Sequence, residues 1–170
     1  MKFNGLVLFL EKDGISADLI LDPKYHEETA ENAKSRLLET AGIPNLDAEI
    51  IADSKVFIAK DDFGINCTSS KAAEAMAANG TACVVASEID KDFRDSLESN
   101  YILPLDLDKK SIADMFRTFE NKDTECKIEQ KEDGSWKLKL IAGSLSKSYI
   151  IRVEGASKEM IESGKWIGLR

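Results

Sequence analysis

Several things are missing from this sequence, and each absence closes off a class of protein. No stretch approaches the ~20 apolar residues that a membrane-spanning helix needs. There is no excess of positive charge: 23 Lys and Arg stand against 31 Asp and Glu, giving a formal net charge of -8. Such a surface repels phosphate backbones, so nucleic acid is not an expected partner. Histidine is nearly absent, with His26 the only one, and there are three cysteines, Cys67, Cys83 and Cys126. An odd, widely spaced set of thiols makes neither a disulfide framework nor a metal-ligand pair. No zinc site is expected from these residues.

Glycine-rich phosphate loops are missing too, since Gly64 stands alone in its loop. The Asp13-Gly14-Ile15-Ser16-Ala17-Asp18 segment lacks the alternating oxygen ligands and closing glutamate of a calcium loop. Asp18 is instead expected to fix its loop through backbone N–H groups. No internal repeat and no low-complexity segment interrupts the 170 residues. The N-terminal apolar run, Leu6-Val7-Leu8-Phe9-Leu10, ends at Glu11-Lys12-Asp13 without a small-residue cleavage site. It reads as a buried strand, and a cytoplasmic protein is the default expectation.

What is present is ordinary in bulk: 43% hydrophobic and 32% charged residues, enough for one full-sized core. The pattern predicts strands over 5–10, 55–59, 82–86 and 102–105, with helices over 29–41, 69–79 and 90–99 between them. The apolar stretch Leu19-Ile20-Leu21 reads as a short insertion in a loop. The continuous run Ala82-Cys83-Val84-Val85-Ala86 marks a strand covered on both faces. Alternating strand and helix is the signature of parallel βαβ units, whose binding crevice lies at the carboxyl ends of the strands. The last third changes to a helix over 111–119, strands over 124–130, 135–142 and 147–153, and a closing helix over 157–163. A turn at Lys131-Glu132-Asp133-Gly134 joins the first two of those strands.

The segment Phe63-Gly64-Ile65-Asn66-Cys67-Thr68-Ser69-Ser70-Lys71 sits at such a carboxyl end and opens an alanine-rich helix. Unpaired N–H groups and the helix dipole favour an anion there, while a plain helix cap explains the hydroxyls equally well. Cys67, in this loop, is a candidate nucleophile only if a base such as His26 lies beside it.

These pieces together resemble the small subunit of 3-isopropylmalate dehydratase, equivalent to the swivelling domain of aconitase. Gly5-Leu6-Val7-Leu8-Phe9-Leu10 is similar to that family's opening strand. Asp13 to Ile20 is similar to its D-x-x-N-T-D-x-I-I-P loop, and Asp62-Phe63-Gly64 to the start of its N-F-G-C-G-S-S-R-E-H-A motif. The match continues without a gap through Gly80, Val84-Val85-Ala86, Phe93 and Leu103-Pro104-Leu105. It closes on Met160 to Ile167.

The resemblance implies a single swivel-type domain over 1–170. The implied fold is an aconitase-swivel-like, three-layer β/β/α arrangement, with a parallel βαβ core and additional antiparallel strands. It also implies a role in leucine biosynthesis as one half of a heterodimeric hydro-lyase. The partner would be a large subunit that carries an iron–sulfur cluster, with no cofactor or metal on this chain. In the family, the cluster iron acts as Lewis acid on a hydroxyl of the substrate, a small hydroxy-carboxylic acid. The first serine of the motif is the base, the second helps hold the oxyanion, and the arginine grips a carboxylate.

Carried over position by position, Cys67 falls on the base serine, Thr68 on the second serine and Ser69 on the arginine. A register two residues later would use Ser69-Ser70-Lys71. It would turn the following helix by about 200° at 3.6 residues per turn and break the downstream match. Cys67 is thus the candidate base, and a thiol is more acidic than a hydroxyl. Thr68, Ser69, Tyr25 and His26 are the candidate substrate-binding residues, and Asp18 and Gly64 the loop-structuring ones. Two positions where the family can place a cation hold Ser69 and a glutamate of the Glu27-Glu28 pair. The alternative reading is a swivel fold kept as a binding or regulatory module without the chemistry, with an independent thiol enzyme as a third.

Overall fold

The computed structural model describes residues 2–170. Its frame is one seven-stranded sheet in the order β4-β3-β2-β1-β5-β6-β7. The parallel half comprises β1 (Lys2–Phe9), β2 (Val56–Ile58), β3 (Cys83–Ala86) and β4 (Leu103–Asp106). The antiparallel half adds β5 (Glu125–Gln130), β6 (Trp136–Ala142) and β7 (Leu145–Ile151). β1 belongs to both halves. Its first residues, Lys2 to Leu6, pair antiparallel with β5, and Val7 to Phe9 pair parallel with β2. This is the mixed α/β architecture expected from the sequence.

Burial explains the two sequence styles. Every residue of β2 and β3 is buried, which requires the uninterrupted apolar runs seen there. In β5 and β6 the inward residues Cys126, Ile128, Trp136, Leu138 and Leu140 alternate with outward Lys and Glu, because only one face is covered.

Between the parallel strands run α4 (Lys71–Ala78) and α5 (Lys91–Ser99), and α6 (Lys109–Phe119) leads to the antiparallel half. α7 (Gly155–Glu162) packs near α5, where the Ser157 hydroxyl donates to Glu98 at 2.7 Å. The C-terminus is pinned by Trp166, fully buried, whose indole N–H donates to the Ala82 carbonyl at 2.7 Å.

The β1–β2 connection departs from expectation. Instead of one helix over 29–41, a single α-turn, α2 (Ala30–Ala33), passes into a 3₁₀ turn, Lys34–Arg36. Leu38 then takes a positive φ of 61°. Its N–H bonds the Ile20 carbonyl at 2.8 Å, so a tertiary hydrogen bond replaces the helical one. Of the apolar residues on one side of the expected helix, Ala33, Leu37, Leu38 and Ala41 are nonetheless buried and Ala30 is half-buried. Leu19-Ile20-Leu21 is no bare insertion. It belongs to a short helix, α1 (Ala17–Ile20), followed later by α3 (Ala48–Asp53), capped by Asp47.

Candidate functional site

The two loops singled out in the sequence are bound to each other at the carboxyl ends of β1 and β2. Gly14 N–H donates to the Asp61 carbonyl at 2.9 Å, Gly64 N–H to Ile15 at 2.7 Å, and Ala17 N–H to Ile65 at 2.9 Å. A third loop, after β3, joins from the other side: Phe63 N–H donates to Glu88, and Asp90 N–H to Phe63, both at 2.9 Å. Beneath this lacing Phe63 is buried edge-to-face on Phe93, with ring centroids 5.6 Å apart. Gly64 has φ +81°, a conformation open to glycine at little cost.

This lacing presents Cys67, Thr68 and Ser69 at the surface, the last two exposed and Cys67 half-buried. The Cys67 thiol donates to the Ser69 carbonyl at 3.3 Å. The Ser69 hydroxyl accepts the Lys71 N–H at 3.3 Å, while the N-cap residue of the helix is Ser70, whose side chain makes no cap bond and donates instead to Glu74 at 2.9 Å. His26, Asp18, Thr68 and Ser69 come together with Ala17 and Ala72 around a shallow dimple.

Tyr25 is not among them. Its hydroxyl donates to Glu39 at 2.7 Å, and its ring lies under Lys24 and Arg36, with the guanidinium 5.4 Å from the centroid. The Glu39 bond pushes the phenol's pKa upward. Arg36 thus brings to Tyr25 a cation that sequence order alone did not reveal. Asp18 makes no hydrogen bond among the described residues. The Leu19 N–H is taken by the Ser16 hydroxyl at 3.3 Å, so Ser16 caps the turn in its place.

A larger crevice of about 370 Å³ lies between the ends of β1, β2 and β3 and helix α6. One wall carries Lys60 paired with Glu11, and the other carries Asp61 held by the Ser87 hydroxyl and by Lys109 at 3.2 Å. Lys60 sits over the Phe116 ring at 4.9 Å. Its ammonium holds the Glu11 carboxyl below its ordinary range, and Glu11 in turn raises Lys60. Glu120 is pushed up by the neighbouring Glu11 carboxyl, with burial adding to the effect. Ser87 and Lys109 together depress Asp61. No sequence motif marks these residues, because they come from four separate segments. The available signal was their position just past strand ends.

Cys83 and Cys126 are fully buried, and burial raises both thiols. Among the described residues no three His, Cys, Asp or Glu side chains are placed to hold a metal ion. No helix among the described residues is long and apolar enough to cross a membrane.

No family profile matches the sequence, and no curated protein matches it. Among solved structures the chain superimposes on the crystal structure of 3-isopropylmalate dehydratase (leuD) from Methanocaldococcus jannaschii. The TM-score is 0.71, over 99% of this chain and 93% of the other. The fold is that of 3-isopropylmalate dehydratase. At 17% identity the likeness is one of fold. The order of strands and helices that the sequence resembled in the dehydratase small subunit is therefore the order the polypeptide adopts. The dehydratase-like motif segment, 62–72, lies at the carboxyl end of a buried parallel strand.

Proposed function

We propose that this chain is the small subunit of a hydro-lyase of the 3-isopropylmalate dehydratase type. It contributes the Cys67–Ser69 loop to a reaction centre completed by a cluster-bearing large subunit. The observation that carries this reading is the loop itself. It is laced to two neighbouring loops, and Thr68 and Ser69 line a dimple too shallow to enclose a substrate, with Cys67 next to them in the loop but outside that lining. A site of that shape becomes a pocket only when another surface covers it.

In this role the Cys67 thiolate removes a proton beside a substrate carboxylate, and Thr68 donates a hydrogen bond to the developing oxyanion. In the free chain the Cys67 thiol donates a hydrogen bond to the Ser69 carbonyl, which orients the sulfur, and the thiol must release that proton before it acts as base. The cluster belongs to the partner and supplies the Lewis-acid chemistry.

The second reading, a swivel fold kept for binding or regulation, is favoured by one feature. No lysine or arginine lines the dimple, and Asp18 and His26 stand where a carboxylate anchor is wanted. Losing a charge-assisted partner for a substrate carboxylate commonly costs ~2–5 kcal/mol.

Affinity purification of the tagged chain from its native cell separates the two. The dehydratase reading expects a stoichiometric partner with iron–sulfur absorbance and a complex that hydrates an unsaturated dicarboxylic acid. Cys67→Ala should abolish that turnover while leaving the complex intact. A complex with undiminished turnover in Cys67→Ala removes the thiol as base, and recovery of the chain without any cluster-bearing protein favours the module.

A further inference from the structure

We propose that a crevice at the amino ends of the parallel strands binds a small aliphatic carboxylate, held between Lys55 and Arg170. This inference is independent of the dehydratase reading, because the Cys67 loop lies at the carboxyl ends of the same strands. The crevice has a volume of about 280 Å³, which suits a ligand of a few carbon atoms. It opens between the start of β1, the residue that precedes β2, the end of α4 and the closing 3₁₀ turn, Ile167–Leu169. Its composition sets it apart. The chain is acidic, and both the crevice beside α6 and the dimple at Thr68 and Ser69 carry carboxylates. Here no Asp or Glu lines the wall, and the polar side chains are those of Lys55, Arg170 and Asn4.

None of those three side chains is satisfied within the protein. Among the described residues Lys55 and Arg170 enter no ion pair. Nor does any of the three side chains make a hydrogen bond there. Lys55 is nonetheless fixed in place. Its N–H donates to the Leu6 carbonyl at 2.9 Å, and its carbonyl accepts the Ala82 N–H at 2.8 Å. Its half-buried side chain runs between two glycines. A methyl group on Gly5 would come within 2.7 Å of the Lys55 Cβ, and one on Gly80 within 2.7 Å of its Nζ. The ammonium thus lies at the end of α4 without capping it. The Ala75, Met76 and Ala77 carbonyls are taken by the Asn79, Thr81 and Gly80 N–H groups at 3.0, 3.0 and 2.9 Å.

Two cations in one crevice without a counter-ion select an anion. The planar guanidinium of Arg170 offers two parallel N–H bonds to a carboxylate, Lys55 supplies a point charge, and the Asn4 amide adds a donor. Phe3, Ala77 and Ile167 complete the lining with apolar surface. That surface gains from burying an aliphatic body and gains nothing from a bare inorganic ion, which favours a carboxylic acid over phosphate. The bound acid bridges β1, α4 and the closing turn. With so few contacts its affinity is in the millimolar range.

Amide proton–nitrogen NMR of the whole chain, titrated with butanoate, tests this. The Asn4, Gly80 and Gly168 signals should shift saturably, while those of Gly64 and Cys67 stay in place. Butanamide, which lacks the charge, and inorganic phosphate, which lacks the aliphatic body, should each bind at least about tenfold more weakly. Lys55→Met keeps the stem beside Gly5 and removes the charge, and Arg170→Gln removes the charge at an exposed position. Each should weaken butanoate binding about tenfold, with far-ultraviolet circular dichroism unchanged. If Lys55→Met does not fold, Arg170→Gln decides alone. The proposal is overturned if no saturable shift appears up to a few hundred millimolar butanoate. An equal response to butanamide, phosphate binding as tight as butanoate, or undiminished binding in the folded variants overturns it too.

Discussion

Gly64 and Phe93 are fitted to each other so closely that a methyl group on Gly64 would lie 2.4 Å from the phenyl ring. Phe93 is fully buried on α5, and Gly64 anchors the loop that displays Cys67. The contact transmits the rigidity of the core to the candidate site.

Gly64→Ala meets two penalties at once, a φ of +81° and the clash with Phe93. Together they should cost on the order of 2–4 kcal/mol. In a domain of this size that lowers Tm by roughly 5–12 °C, which calorimetry would detect. A Tm within about one degree of the parent's would show that the loop relaxes freely and that Phe93 does not fix it.

The three thiols differ in access. Only Cys67 reaches the surface, while Cys83 and Cys126 are fully buried with their thiols pushed up. A thiol-exchange reagent should therefore titrate one group per native chain promptly and all three in denaturant. Rapid reaction of a second thiol in the native protein would contradict the burial of β3 and β5.

Asp114 ties α6 to the antiparallel half. Its carboxylate accepts bonds from Lys147 at 2.9 and 3.1 Å, from the Tyr149 hydroxyl at 2.7 Å and from Arg117 at 2.6 Å. Lys147 and Tyr149 hold its pKa below the ordinary value, while burial and then the Asp114 bond raise that of Tyr149. Asp114→Asn should destabilise by about 1–2 kcal/mol at neutral pH, measured by denaturant unfolding. A lowered folded-state pKa contributes stability that is complete above the unfolded value, ~3.9, and disappears as pH falls through the folded one. The gap between parent and variant should therefore be constant from neutrality to about pH 5 and close below pH 4. A gap that widens on acidification would refute this assignment.

Lys60 is the cation that lets Glu11 and Glu120 face each other across the crevice. Lys60→Met should lower Tm at neutral pH, where both carboxylates want to ionise. The deficit should shrink as pH drops toward the ordinary glutamate value of ~4.3, because protonation removes the repulsion. An equal Tm deficit at both pH values would mean that Lys60 acts through its packing on Phe116 and not through charge.

Local chemistry made much of this legible in advance. The apolar runs of β2 and β3 announced strands buried on both faces, and the alternation in β5 and β6 announced one covered face. Leu37, Leu38 and Ala41, within the helix expected over 29–41, are buried, although that helix gives way after Ala33. Helical periodicity and core burial agree at those positions, so only the bond from Leu38 to Ile20, across the chain, tells the two apart. Of the residues named from the resemblance, His26, Thr68 and Ser69 line one dimple, and Cys67 is not part of its lining. Tyr25 is outside it as well, because Glu39 and Arg36, out of view in a linear reading, claim its hydroxyl and its ring.

The sequence by itself determined which residues are buried, where strands and helices alternate and which loop gathers thiol and hydroxyl groups, since periodicity and side-chain polarity act over a few residues. The tertiary structure alone decided that β1 is shared between a parallel and an antiparallel half, that three distant loops are laced around Gly64, and that β7 is left as an open edge. Those outcomes depend on which backbone groups meet after the chain closes on itself, and such pairings are set by the packing of the whole sheet.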